Sequence, residues 1–482
     1  MKHRLAAAAL AAVVVGVAAC STEKPQGAIT GPARPQRSAT VPPTRTRTID
    51  DEFDDIAAVV PGFGGVFIGR DGVAYVYHTK PGQAGLLANL QSRLPAGLRD
   101  RQIQVLQGQY DFHQLRSWKD GAVNVLNEPG TAFIDADEAR NRVVIGVSDP
   151  GATERIVARA VELGVPKDAL FIKIVQLATP HSSLNDDNVG NLASGLMVSV
   201  VDSASFTTLG QCTIGIVGTG ESDSYYAAYH YGQPGPPISA DLWQDKYYVI
   251  TNSHCSGADT ARMGHVFPGT LMAQFSSTYG WVADKYYDPP FLPGTGWGCP
   301  VGRKCRGSDA AAYKLRSSYC PYTYTCTHYP GFGTAYRTTT PWGDSTQYLG
   351  NNTIDGINGP WSIVSADNLL PIPKALYVGD SILKIGRNSG TTRGFVVTTC
   401  ATSNQVGSTI TIFCDDIADL YDAGGDSGAG VFVRSGSNTL YLAGLSWGGG
   451  TYGNGVYFDS FAPWGFVSSD LERIGHLFGP WY

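Results

Sequence analysis

The segment Gly424-Gly425-Asp426-Ser427-Gly428-Ala429-Gly430 sets a serine among glycines, directly after an aspartate. Glycine permits the tight backbone bends that project one hydroxyl from a loop. A serine hydroxyl is a weak nucleophile at neutral pH, so the segment carries chemistry only with a general base and a carboxylate to orient that base. Both residue types lie upstream. His254 ends the strand-like run Tyr248-Val249-Ile250-Thr251-Asn252-Ser253, and Asp309 precedes the mostly apolar Ala310-Ala311-Ala312-Tyr313-Lys314-Leu315. In such a set the imidazole takes the serine proton during attack on a carbonyl and returns it to the leaving group, while the aspartate holds the tautomer.

The order His254, Asp309, Ser427, in the segments ITNSHC, SDAAAYKL and GGDSGAG, resembles the trypsin/chymotrypsin family of serine proteases across roughly residues 196–482. Ser446-Trp447-Gly448 is a fourth match, similar to the segment that forms one wall of that family's primary specificity pocket. The resemblance implies an all-β double barrel with two six-stranded halves, a cleft between them, and a protein or peptide substrate cut through an acyl-enzyme without metal or cofactor. It implies that Ser446 hydrogen-bonds Asp309, and that the N–H groups of Gly425 and Ser427 form an oxyanion hole. It also implies that Tyr421 stands at the base of the pocket. Tyr421 there would favour small or medium apolar side chains, whereas Asp422 turned inward would favour Lys or Arg.

Nothing near residue 196 reads like the Ile-Val-Gly-Gly start of animal zymogens, so Asp426 needs another partner, for which Arg387 or Arg393 is available. A bacterial exported subgroup fits better. By the same resemblance Cys255 pairs with Cys212. Cys400/Cys414, Cys299/Cys305 and Cys320/Cys326 are pairings suggested by proximity alone. Zinc ligation by the last four is disfavoured, because each close pair has wider spacing than structural zinc sites use and the chain reads as exported.

A nucleophile elbow is the rival hydrolase reading, with Asp459 or Asp470 and His476 following the serine. Ala429 stands where an elbow has glycine, and Val431-Phe432-Val433 and Thr439-Leu440-Tyr441-Leu442 read as strands where an elbow needs a helix. Outside hydrolysis, a degenerate protease-like binding protein of the cell envelope is the alternative. A repetitive adhesion or scaffold protein finds no support in the sequence, which has no repeats.

These groups must be positioned by a long chain. At 482 residues with 59 glycines and 25 tyrosines, more than one domain rich in strand and loop is expected. A net charge of −6 gives no basic footprint for nucleic acid. Lys2, His3 and Arg4 before the apolar run Leu5 to Ala19 read as a secretory signal, residues 1–19. Val17-Ala18-Ala19-Cys20 resembles a bacterial lipobox, which implies lipid on Cys20, membrane anchoring and an extracytoplasmic location as an envelope lipoprotein, with ordinary cleavage and secretion as the other outcome. Nine cysteines are odd, and setting Cys20 aside leaves eight that can all pair.

Residues 21–50, rich in Pro, Thr and Arg, read as a disordered tether. Residues 51–176 read as a small α/β domain. A hairpin turns at Asp71-Gly72, helices run from Leu86 to Leu94 and from Asp111 to Leu126, and strands at 103–106, 131–134, 143–147 and 170–175 and a helix at 152–163 follow. Placed before a protease-like segment, it weakly resembles the propeptides of α-lytic-type enzymes, which implies binding to the protease domain as chaperone or inhibitor. A spacer or a substrate-recognition domain fits equally. Residues 177–195 read as an exposed linker and processing site, residues 196–482 as the protease domain, and the stretch Asp288 to Trp361 as surface loops around the cleft.

Overall fold

In a computed structural model of the chain the described residues are 47–175, 192–219, 247–257, 263–266, 269–273, 281–293, 299–316, 334–335, 361–364, 376–453 and 455–471. Cys20, Cys320, Cys326, His476, most of the tether and residues 176–191 lie outside them.

The N-terminal part begins earlier than composition indicated. A helix spans Ile49–Val59, because Thr48 and Asp51 form a capping box: the Asp51 amide donates to Thr48 Oγ1 at 3.1 Å and the Thr48 amide to Asp51 Oδ2 at 2.8 Å. The helix buries Phe53 edge-on against Phe63 and Phe112, with ring centroids 5.9 and 5.2 Å apart. The expected hairpin is present as Phe63–Ile68 paired with Ala74–His78, and Ile103–Gln107 joins it in parallel. Asp111 caps the next helix as expected, but that helix stops at Gly121 and the chain tightens into a 3-10 segment, Val123–Asn127. Glycine is a poor continuation of a helix. Strands Thr131–Asp137 and Arg142–Val147, the helix Thr153–Glu162 and the strand Leu170–Ile174 complete this part.

Beyond residue 192 the chain is mostly strand. Residues 192–194 are buried rather than part of an exposed linker: Leu192 enters the core beside Val198 and Ile214, and Ala193 and Ser194 are buried with it. Seven strands form one sheet, in the order 207–213, 197–202, 270–273, 281–287, 310–315, 247–252, 216–219. Six others pair in a ring: 390–404, 410–418, 457–463, 439–451, 430–435 and 381–386, the last returning to the first. The first sheet therefore differs from the expected six strands in an even barrel, and no closing pair joins its outer strands among the described residues.

The two parts are not separate bodies. Thr402 and Ser403 pair antiparallel with Ile134 and Phe133, so the N-terminal strands 131–137, 142–147 and 170–174 extend the second sheet. One core packs Phe53 and Leu115 with Cys400, Cys414, Tyr377 and Phe466. Another packs Phe133 and Val144 with Ile410, Ile412 and Trp447. Disulfides join Cys212–Cys255, Cys299–Cys305 and Cys400–Cys414, as anticipated. Among the described residues no helix is long and apolar enough to cross a membrane.

Candidate active site

His254 lies in the 3-10 turn Ser253–Ser256, where strand Tyr247–Asn252 ends. That strand pairs with Ala310–Leu315, Asn252 opposite Ala310, which sets the chain before Ala310 beside the turn. The Ser253 amide donates to the Asp309 carbonyl at 2.7 Å, and Asn252 Nδ2 to the same oxygen at 3.0 Å. The side chains then meet: His254 Nδ1 contacts Asp309 Oδ2, and the His254 amide donates to Asp309 Oδ1 at 3.3 Å. Both side chains are buried. With Nδ1 committed to the carboxylate, His254 Nε2 is buried and has no hydrogen-bond partner among the described residues. That is the nitrogen a general base of this type must keep available.

Ser427 sits on a loop docked against the same strand. Gly425 and Gly428 hold φ of +97° and +85°, values that suit glycine. A Cβ on Gly428 would lie 2.2 Å from Thr251 Oγ1 and 3.2 Å from the Asn252 amide nitrogen, so the backbone passes there without a side chain. Thr213 clamps the loop, its hydroxyl donating to the Gly425 carbonyl at 2.8 Å and its amide to the Ser427 carbonyl at 2.8 Å. His254, Asp309 and Ser427 thus lie on elements in direct contact, and Ser427 and His254 are both buried. The segments following Ser427 are the strands Gly430–Ser435 and Thr439–Thr451, which an elbow does not have.

Two residue assignments are corrected. Ser446 donates its hydroxyl to Asp459 Oδ1 at 2.6 Å rather than to Asp309, because Asp459 lies on the strand paired with its own. Asp426 is held neither by Arg387 nor by Arg393, whose Nε donates to Ser381. Its cation is Lys384, at 2.9 Å, and its carboxylate also accepts from the amides of Asn388, Ser389 and Ala423 at 3.0–3.1 Å.

The same buried ammonium contacts Asp422 and lies 3.7 Å from Asp459, so one lysine faces three carboxyls. Burial alone would push Lys384 down, but the carboxylates hold it above the ordinary lysine range. Burial pushes Asp459 up to about 8, against the attraction of Lys384. Asp422 is therefore turned onto Lys384 and backs onto Gly449, where a Cβ would come within 2.4 Å of its Oδ2. Tyr421 packs edge-on against Tyr457, centroids 4.6 Å apart. Trp447 is fully buried in the core that includes Phe133 and Phe458, while Gly448 pairs with Ser460 in the neighbouring strand.

The sequence did hold a signal for Lys384: a lone lysine inside the apolar run Ile382-Leu383-Lys384-Ile385 must either leave the sheet or find buried acids. Lys384→Met is expected to lower the unfolding free energy by roughly 3–5 kcal/mol, the cost of leaving buried charges unpaired. Urea unfolding at pH 7 measures it. The loss should grow at pH 9, above the value of about 8 to which burial raises Asp459, because its ionised carboxylate is offset by Lys384 in wild type and unpaired in the variant.

No protein-family model matches this chain, nor does any curated protein. Among solved structures it is similar to Thermobifida fusca protease A, at 15% identity and TM-score 0.33, covering 60% of this chain and all of that one. It is also similar to Cellulomonas bogoriensis chymotrypsin, at 13% identity and TM-score 0.32, with 60% and 100% covered. A glutamic acid specific serine protease gives 15% identity and TM-score 0.30, with 56% of this chain and 93% of that chain covered. Likeness at that level carries no functional argument; the residues must.

Proposed function

We propose that this chain is an exported serine endopeptidase of the chymotrypsin-like double-barrel type, acting through His254, Asp309 and Ser427. The observation that carries the reading is the buried contact of His254 Nδ1 with Asp309, which leaves Nε2 uncommitted while the Ser427 loop packs on the same strand. His254 takes the Ser427 proton as the hydroxyl attacks a peptide carbonyl, and the N–H groups of Gly425 and Ser427 stabilise the oxyanion. The imidazolium, kept in place by Asp309, then protonates the leaving amine, and water resolves the acyl-enzyme by the same route. No metal or cofactor enters these steps.

The N-terminal part acts as a propeptide-like unit that binds the protease part, a reading supported by the shared sheet and the shared cores. Burial of Ser427 and His254 fits a latent form that must open before substrate enters. Lipid on Cys20 anchors the chain, and cleavage between residues 177 and 191 frees the protease part.

The test uses the full chain expressed with its own leader so that maturation proceeds, followed by a small phosphonate or fluorophosphate probe and peptide mapping. Labelling at Ser427 alone, together with cleavage of casein, is expected. An unlabelled Ser427 in a casein-degrading preparation would overturn the assignment. Labelling without cleavage of any peptide library would favour the degenerate binder.

A further inference from the structure

Asp288 was expected to open a surface loop, yet its side chain is fully buried. Its Oδ2 accepts from Ser253 Oγ at 2.7 Å, from the Gly264 amide at 3.1 Å and from Lys285 Nζ at 2.7 Å. Its Oδ1 pairs with Arg306 Nη1 at 3.1 Å. Lys285 also donates to Ser256 Oγ at 2.7 Å, and Ser256 Oγ donates to the Ser253 carbonyl at 2.8 Å. Ser253 and Ser256 belong to the turn that carries His254.

On the other side Arg306 donates Nη2 to the Ala310 carbonyl at 2.9 Å and Nε to the Ser308 carbonyl. Those two carbonyls flank Asp309. Ser308 Oγ is fixed in turn by Asp470 Oδ2 at 2.6 Å, which lies 3.5 Å from Arg306 Nε. One buried network therefore grips the chain on both sides of the imidazole and on both sides of the carboxylate. It does so without touching either functional group.

A buried ion-pair network is a poor source of stability, because desolvation cancels most of its Coulombic gain. A base and its orienting acid, by contrast, must be held within about half an ångström for full effect. We infer that Asp288, acting with Lys285 and Arg306, is a positioning residue that registers the His254 turn against the Asp309 segment. The inference rests on the serine-protease reading of the site. Asp288 is not a catalytic residue, since it acts only through the backbone on which His254 and Asp309 sit.

Two variants test it in the full chain. Asp288→Asn removes the charge that joins the two halves, and Ser253→Ala removes only the hydroxyl that ties the His254 turn to Asp288. The expected result is phosphonate labelling of Ser427 slowed about a hundredfold in Asp288→Asn and about tenfold in Ser253→Ala, with KM for peptide unchanged, because a misplacement of about an ångström costs rate of that order. Nitrogen-edited proton NMR should show the His254 imidazole Nδ1–H resonance displaced in both. If Asp288→Asn does not fold, Ser253→Ala decides alone. Wild-type labelling rates and an unmoved imidazole resonance in folded Ser253→Ala would overturn the inference. If wild type itself is not labelled, the protease reading fails, and the imidazole resonance still tells whether the brace sets the His254–Asp309 geometry.

Discussion

Ser427→Ala is expected to reduce peptide turnover by about a million-fold while leaving KM within a few-fold of wild type, the scale found when a serine protease loses its nucleophile. The effect is large because the acyl-enzyme route disappears as a whole: His254 without the hydroxyl has nothing to deprotonate, and Asp309 orients a base with no role. Asp309→Asn should cost less, on the order of 10⁴, through the wrong imidazole tautomer. Combining Asp309→Asn with Ser427→Ala should add little to Ser427→Ala alone, since residues acting as a unit are not additive. Single-turnover hydrolysis of an ester and an amide substrate, on protein purified away from host proteases, measures these values. Turnover retained in Ser427→Ala would place the chemistry elsewhere in the chain.

Raising the pH from 5 to 8 is expected to loosen the N-terminal part from the hairpin 390–418 by about a hundredfold in opening constant. Carboxyls crowd this seam. Glu138 accepts from Thr399 Oγ1 at 2.9 Å, Asp416 accepts from the Cys400 amide at 3.0 Å, and both oxygens of Asp135 are buried without a hydrogen-bond partner among the described residues. Burial pushes Asp416 up to about 8, and it raises Asp135 and Glu138 well above the carboxylate range, with Asp137 adding like-charge repulsion to both. Asp415, on the same hairpin, is raised by burial as well.

Lys119 pairs with Asp50 within the N-terminal part at 2.6 Å and crosses the seam to the Cys400 carbonyl at 2.8 Å, and with Arg140 it only partly offsets the burial cost at Asp135. A carboxyl whose pKa is raised in the docked state favours docking when protonated. Its contribution is complete below about pH 4 and is lost as the pH climbs towards about 8. Lys173 opposes this trend only above that range, because burial lowers it to about 8 and its penalty is relieved as it discharges. Opening should therefore be greater at pH 8 than at pH 5.

Hydrogen exchange of the amides in Thr131–Asp137, corrected for the intrinsic pH dependence of exchange, measures that opening. Strand Tyr247–Asn252, in the other sheet, serves as the control. Asp416→Asn combined with Asp135→Asn should flatten the pH response. A flat response in wild type, or slower opening at pH 8, would contradict the expected sign. If the N-terminal part shields the protease part, an acidic compartment would keep it latent.

Local chemistry made part of this protein legible. The Asp71-Gly72 hairpin, the Asp111 cap and the glycines around Ser427 each follow from backbone rules that act over a few residues, and each is where the sequence indicated. The order of His254, Asp309 and Ser427 was readable as a set, because three chemically complementary groups at strand ends have few other uses. The helix at Ile49–Val59 was missed beside a Pro-rich tether, although Thr48 and Asp51 spell its cap.

What tertiary structure alone decided are the partners that meet across large sequence separations. Lys384 with Asp426, Ser446 with Asp459, Asp288 between Ser253 and Arg306, and Thr402 beside Ile134 have no common period or motif. A buried charge announces that it needs a partner, but which one it finds depends on how the sheets stack and where their edges fall. Residue chemistry sets the types of group gathered around Ser427, and packing selects which of them touch.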